Sequence, residues 1–441
     1  MKFDKFFALA KEAGISEVEL SYSNSYSLSF SLFHGEIDNY STSNSSIYMA
    51  RGIYKGKMGS VVSDVYDKNS AELFVKTIKE NASVIENDDP VFIFKGSEKY
   101  KKINTFNREL ANVPVEKKLE SLRELEKKIR ESDKRVIEVQ MVGYEESSTQ
   151  SVILNSHGLK LNQKNNSYVY YGGAVAKEGD QVKTGFDIFF DNDFSKFNPA
   201  KLGASVAKEA TKQLGGFQCD SATYKAVLSP EVVRDLMKAY VSSAIADDVQ
   251  KNSSLFVGKL NQKVASRKVT IEDKPLARTL FAKGFDDEGV ATRNMPIIKN
   301  GVLVNYLYNL TTAAKDGVES NGHGAVGGGS KVYTTTFYLD MKPGKKSEEE
   351  LFKEVGNGVY ITEVQGLHSG LNPRSGNFSL QSTGFMIENG KVTHGLDIIT
   401  VSGNLVDLFN SISSVGNNSK EFASGVRCPS VIVNKIAVGG K

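Results

Sequence analysis

The sequence predicts an α+β protein, with helix-flanked antiparallel N-terminal and middle units and a large, mostly antiparallel β C-terminal domain. Three observations predict it. Leu28, Phe30 and Leu32 alternate with Ser27, Ser29 and Ser31, the period of a half-buried strand. Helix-period stripes recur through the first 250 residues, and Asn-Gly dipeptides interrupt apolar runs after residue 290. The 441 residues suffice for two or three domains at ~150 each. Their expected boundaries are 1–87, a polar linker at 88–112, then 113–216 and 220–441.

Residues 3–13 form a short amphipathic helix closed by Gly14. The serine-alternating strand turns at His34-Gly35, and residues 46–62, with Gly52, Gly56 and Gly59, suggest hairpins. A helix over 67–86 shows Leu73, Val75 and Ile78 as its stripe. In the middle unit, residues 115–132 put Leu119, Leu122, Leu125 and Ile129 on one helix face. Strands follow at 136–144, 150–155, 167–177 and 181–191, then a helix at 199–214. The third unit opens with a helix at 230–247, Pro230 near its first position. Asn300-Gly301 and Asn389-Gly390 mark two hairpins, and Ser347 with Glu350 matches a capping box for a helix at 347–355.

Composition excludes several classes. With 55 basic and 52 acidic residues the net charge is +3, which gives no clustered basic footprint for nucleic acid. No window nears the ~20 apolar residues of a membrane span, and residues 6–10 are too short an apolar run for a signal peptide. Cys219 and Cys428 cannot build a disulfide framework and fit a reducing compartment, so a cytoplasmic location is expected.

Self-contained catalytic motifs are missing from the pattern. His34, His157, His323, His368 and His394 lie far apart, without HExxH or CxxC spacing. His323, His368 and His394 each sit in a Gly-rich turn and read as surface loop residues. Residues 322–327 match GxGxxG, but a strand-like run follows where nucleotide binding needs a helix. No G-x-S-x-G elbow occurs, and the S-x-x-K at 205–208 follows the K-T-G at 183–185 in the wrong order. Asp286-Asp287-Glu288 is a dense acidic cluster that reads as a polar turn rather than a cation site.

The stretches 258–273, 285–290 and 307–315 resemble the TldD/PmbA family. So do Gly384-Phe385-Met386-Ile387-Glu388-Asn389-Gly390, Val401-Ser402-Gly403-Asn404 and Arg427-Cys428-Pro429-Ser430, which are closest to its PmbA/TldE branch. The resemblance implies a metallopeptidase ancestry in which an H-E-x-x-x-H helix and a C-terminal cysteine hold zinc. Here residues 237–242 read Met-Lys-Ala-Tyr-Val-Ser, so Met237 and Ser242 stand at the approximate zinc-histidine positions. Residues 415–421 lack the cysteine, and no metal role carries over to Cys428. Without ligands or glutamate there is no activated water and no general base. The resemblance therefore implies a metal-free, non-catalytic subunit without a cofactor of its own. Zinc is expected in a TldD-type partner, and unfolded peptides are the expected substrates of the complex. A stand-alone homodimeric peptide-binding or scaffold protein is the alternative, and an independent hydrolase the third reading. The family's older link to DNA gyrase reads as indirect, given the near-neutral charge. The Gly-rich stretch 365–384 is a candidate peptide channel, with Gly366, His368, Ser382 and Thr383 offering an exposed strand edge.

Overall fold

The serine alternation belongs to β1 (Glu17–Phe33), an inner strand of a six-stranded antiparallel sheet. The other strands are β2 (Glu36–Tyr54), β3 (Lys57–Ser63), β4 (Val136–Asn155), β5 (Lys160–Glu178) and β6 (Gln181–Asp191), in the order β3-β2-β1-β4-β5-β6. The structure, a computed structural model, describes residues 3–327 and 331–441. Because β1 pairs with β4 from Glu19↔Asn155 to Leu32↔Val142, the first and middle units share one continuous sheet. β4 is a single strand of 20 residues where the sequence suggests two.

The period-2 pattern sorts this sheet into two unlike faces. One face buries Val18, Leu20, Leu28, Phe30, Leu32, Tyr144, Tyr168 and Tyr170 beneath helices. The first pair, α1 (Asp4–Glu12) and α2 (Ser70–Ser83), covers the end near β3. The second pair, α4 (Val115–Ser132) and α5 (Pro199–Thr211), covers the other end. Gly14, at φ 78, ends α1 in the left-handed conformation its sequence position suggested. On the opposite face, register places Ser21 beside Met49 and Ile153, and Ser23 beside Ile47 and Ser151. Glu19 faces Arg51 in the same layer.

The segment read as a linker is strapped down. Ile93 is buried, Asn155 Nδ2 donates to Phe94 O at 2.7 Å, and the Tyr100 hydroxyl donates to Gly289 O at 2.7 Å. Its last residues form α3 (Arg108–Asn112), capped by the Asn107 side chain.

In the third unit β7 (Ala222–Leu228) begins a closed ring. It pairs with Gly358–Gln365, which pairs with Asn377–Glu388, then Lys391–Asn404, then Val431–Gly439, which returns to β7. α6 (Pro230–Val241) packs on this barrel through Val232, Val233, Leu236, Met237 and Tyr240. It ends six residues before the expected boundary, and a 3₁₀ turn, Ser242–Ala244, follows. A second six-stranded sheet of short strands holds both Ile271–Asp273 and the hairpin at Asn300-Gly301. Both Asn-Gly pairs have positive φ at each residue, the conformation that such hairpin turns require. The capping box at Ser347 and Glu350 is formed in full. Among the described residues, no helix is long and apolar enough to cross a membrane.

Candidate functional site

The serine face of the sheet does not lie open along its whole length. Residues 280–287, 326–327 and 336–337 of the third unit stand over it and leave a cleft of about 650 Å³. Its floor includes Ser21, Ser23 and Met49; its roof includes Phe281, Lys283 and Phe337. Gln163 holds the roof to the floor: its Nε2 donates to Ala282 O at 2.9 Å, and its Oε1 accepts from Gly284 N at 3.1 Å. Lys283 pairs with Asp287 at 2.6 Å and lies over the Phe337 ring at 4.7 Å. Across segment 276–282 lies a second cavity of about 870 Å³, lined by Lys101, Arg278, Asp191 and Glu421 among others.

The anchor of the cleft is a buried ionic cluster. Arg51 donates through Nε to Glu19 Oε1 at 2.8 Å, and its Nη1 lies 3.6 Å from Glu288 Oε1. Glu288 Oε2 accepts from Leu310 N at 2.8 Å. Asp286 accepts from the amides of Glu288, Val290 and Gly324 at 2.8–3.0 Å. The polar turn expected here is present but buried: Asp286 is 0% and Glu288 3% exposed. Burial, with Glu288 beside it, pushes the Asp286 carboxyl up to about 8 despite its three amide donors. Burial likewise raises Glu288 and Glu19, against the pull of Arg51. Desolvation opposes the charge on Arg51, but Glu19 and Glu288 more than offset it and hold the guanidinium protonated.

His323 is a correction. It is 0% exposed rather than a surface residue, with Nδ1 2.8 Å from Asn321 Oδ1 and Nε2 3.0 Å from Asp273 Oδ2. Asp273 also accepts from the amides of Phe337 and Tyr338. This pair fixes the loop that carries Phe337 into the cleft roof. His368 is exposed, and His394 stacks on Phe217 at 4.1 Å between centroids. Among the described residues no three His, Cys, Asp or Glu side chains come together to hold a metal. Both thiols are buried, which raises their pKa and keeps them protonated; Cys428 Sγ donates to Pro230 O at 3.2 Å.

Matches to protein-family models cover most of the chain. The PmbA/TldA metallopeptidase domain 1 matches residues 18–82, the central domain 108–214 and the C-terminal domain 221–440. The chain belongs to the PmbA/TldD family. A metalloprotease PmbA homolog of Buchnera aphidicola is 30% identical over 317 residues, covering 71% of this chain and 68% of that one. A metalloprotease of Methanocaldococcus jannaschii is 25% identical and covers 97% of this chain and 94% of its own. Among solved structures, a candidate modulator of a DNA gyrase from Thermotoga maritima superposes with TM-score 0.92 at 32% identity over 99% of both chains. TldE from Thermococcus kodakarensis superposes with TM-score 0.90 over 100% of both chains at 22% identity, a likeness of fold.

In this PmbA/TldD member, Met237 and Ser242 differ in burial. Met237 is 0% exposed in the barrel-side core. Ser242 is exposed at the end of α6 and donates to Ala239 O at 2.7 Å. Neither position carries a histidine, a cysteine or a carboxylate.

The strand edge expected at 365–384 is absent. Ser382 is 1% exposed and pairs with Val364 on one side and Ile399 on the other; Thr383 pairs with Glu363. Closing the barrel uses these backbone groups, so an added strand finds no free ladder there. Gly366, at φ 78, and exposed His368 belong to a surface turn before this strand. The residues that sequence reasoning missed are Glu19 and Arg51. A signal existed: each charge stands between uncharged small or apolar neighbours, Glu19 between Val18 and Leu20 and Arg51 between Ala50 and Gly52.

Proposed function

We propose that this chain is the metal-free, non-catalytic PmbA/TldE-type subunit of a cytoplasmic TldD/TldE metalloprotease complex acting on unfolded peptides. The observation that carries the reading is the geometry of α6. Met237 sits in a packed core and Ser242 faces outward, so the helix offers no pair of ligands for a zinc ion. The cleft is what supports the substrate class in this reading. Its floor mixes the hydroxyls of Ser21, Ser23 and Ser151 with the apolar side chains of Ile47, Met49, Val62 and Ile153, and its roof carries aromatic rings and one lysine already paired with Asp287. Such walls accept an extended chain without reading a particular charge. Zinc and the general base belong to the TldD-type partner.

The test is reconstitution. The purified chain alone is expected to contain no stoichiometric zinc and to leave an unfolded peptide intact, while the chain with a TldD-type subunit co-purifies and cleaves it. Stoichiometric zinc with cleavage by this chain alone would overturn the proposal. The double substitution Met237→His with Ser242→His is expected to bind no zinc at one equivalent, because two histidines without a third ligand do not complete a site.

A further inference from the structure

The third unit puts a partition between two cavities. Leu280 and Ala282 line both the cleft and the neighbouring cavity of about 870 Å³. The other walls of that cavity are the strap at residues 101–105 and the end of β6 at Phe190 and Asp191. Side-chain amides tie strap and sheet together: Asn192 Nδ2 donates to Thr105 O at 3.1 Å, and Asn107 Nδ2 donates to Asn192 O at 2.7 Å. A Cβ on Gly284 would stand 2.8 Å from Lys101 O, so glycine there lets the strap lie close against the partition.

The lining holds more donors than the chain uses. Among the described residues, the side chains of Lys101, Lys102 and Arg278 make no hydrogen bond and no ion pair. A fourth cation, Lys196, is taken by Asp191 at 3.1 Å. Asn104 and Asn294 use Oδ1 to accept from the amides of Phe106 and Leu276, and Thr279 uses Oγ1 to accept from that of Phe281. Their Nδ2 hydrogens and the Thr279 hydroxyl proton are left over. Asp191 already accepts from two amides besides Lys196, and Glu421 accepts from the Tyr338 hydroxyl. Three unpaired cations therefore outnumber one carboxylate without a cation, Glu421. The complement of such a lining is an anion rich in acceptors.

We propose that this cavity binds carboxylate groups of the unfolded peptide, and so gives a preference for acidic substrates that the cleft itself does not have. The inference rests on the peptide reading of the cleft and deepens it. Two features select a peptide's carboxylate. A chain leaving the cleft past Leu280 and Ala282 enters this cavity directly. Ile103, Phe190 and Leu276 share the lining with the cations, so an apolar side chain next to the carboxylate also finds a wall. The group has two possible sources, the C-terminal α-carboxylate and the side chains of Asp and Glu.

The experiment is fluorescence anisotropy with the full chain and one labelled unfolded peptide in three forms. The first is uncharged with an amidated C-terminus. The second has a free C-terminal carboxylate, and the third is amidated with two glutamines replaced by glutamate. At least one carboxylate form is expected to bind about tenfold more tightly than the uncharged one, and which form gains identifies the source. Lys101→Gln, Lys102→Gln and Arg278→Gln together are expected to erase that gain, leaving circular dichroism and binding of the uncharged form unchanged. Lys353→Gln, Lys391→Gln and Lys435→Gln remove the same charge from exposed lysines elsewhere in the third unit and are expected to keep the gain. If the uncharged form binds and neither carboxylate form gains, this proposal is overturned while the reading of the cleft stands. A gain that survives the three cavity substitutions overturns it too, as does one that both sets erase equally. Binding of a carboxylate form alone, lost in the cavity variant, would support the cavity and sink the reading of the cleft. Binding of no form would overturn both.

Discussion

Two long polar strands in this molecule have opposite fates. Asn377–Glu388 is closed on both sides by Gly358–Gln365 and Lys391–Asn404. β2 is closed on both sides only at Tyr48–Tyr54 and has a bare lane before that. The glycines and hydroxyls that made the first strand look like a binding edge serve its enclosure instead. A Cβ on Gly384 would stand 2.2 Å from Tyr360 O, so glycine there admits the neighbouring strand. A strand's composition tells how closely backbones approach. Which side is paired is decided by strands far away in sequence.

The largest effect is expected at the closed end of β2. Arg51 is the counter-charge to Glu19 and Glu288, all three buried where the sheet meets the third unit. Arg51→Met leaves buried carboxylates without a cation, which costs about 3–5 kcal/mol in urea or thermal unfolding. Adding Glu19→Gln and Glu288→Gln to it is expected to recover most of the loss, since the penalty lies in the uncompensated charge. A single Arg51→Met variant as stable as the parent would mean that water reaches this cluster.

The same junction gives a pH dependence of definite sign. Asp286 is held up to about 8 in the folded chain and titrates near ~3.9 when unfolded. Between those values the folded state binds the extra proton, so this group's contribution is complete below pH ~4 and is lost as pH rises through about 8. The slope is at most about 1.4 kcal/mol per pH unit for one proton. Asp286→Asn is expected to flatten the fall in stability between pH 5 and 8; an unchanged slope would assign the titration to another group.

What was legible in the sequence follows the range of the interaction that decides it. Helix Val115–Ser132 and the Asn-Gly turns match their expected positions because side-chain period and positive φ are set by neighbours along the chain. His323 was misread as a surface residue, and the burial of the acidic turn was not foreseen, because Asp273, Arg51 and Glu19, their partners, come from distant strands. A local reading sees only polar residues beside glycines. The continuity of the first sheet was hidden for the same reason: β1 meets β4 across two strands, three helices and a polar segment.

The next comparison is within the barrel. Ser382→Pro removes an N–H from a strand paired on both faces and leaves a buried carbonyl without its donor, at about 1–3 kcal/mol. The bare lane of β2 offers the matched control, with the smallest expected effect. Thr42 and Ser43 are adjacent, so one sends its N–H to β1 and the other sends it outward. Proline at the first breaks a ladder bond; at the second it breaks none, and edge strands tolerate proline on their solvent side. Thr42→Pro and Ser43→Pro are therefore expected to differ, one near the cost of Ser382→Pro and the other well under ~1 kcal/mol. Equal costs would show that the outer groups of β2 already have a partner within the chain.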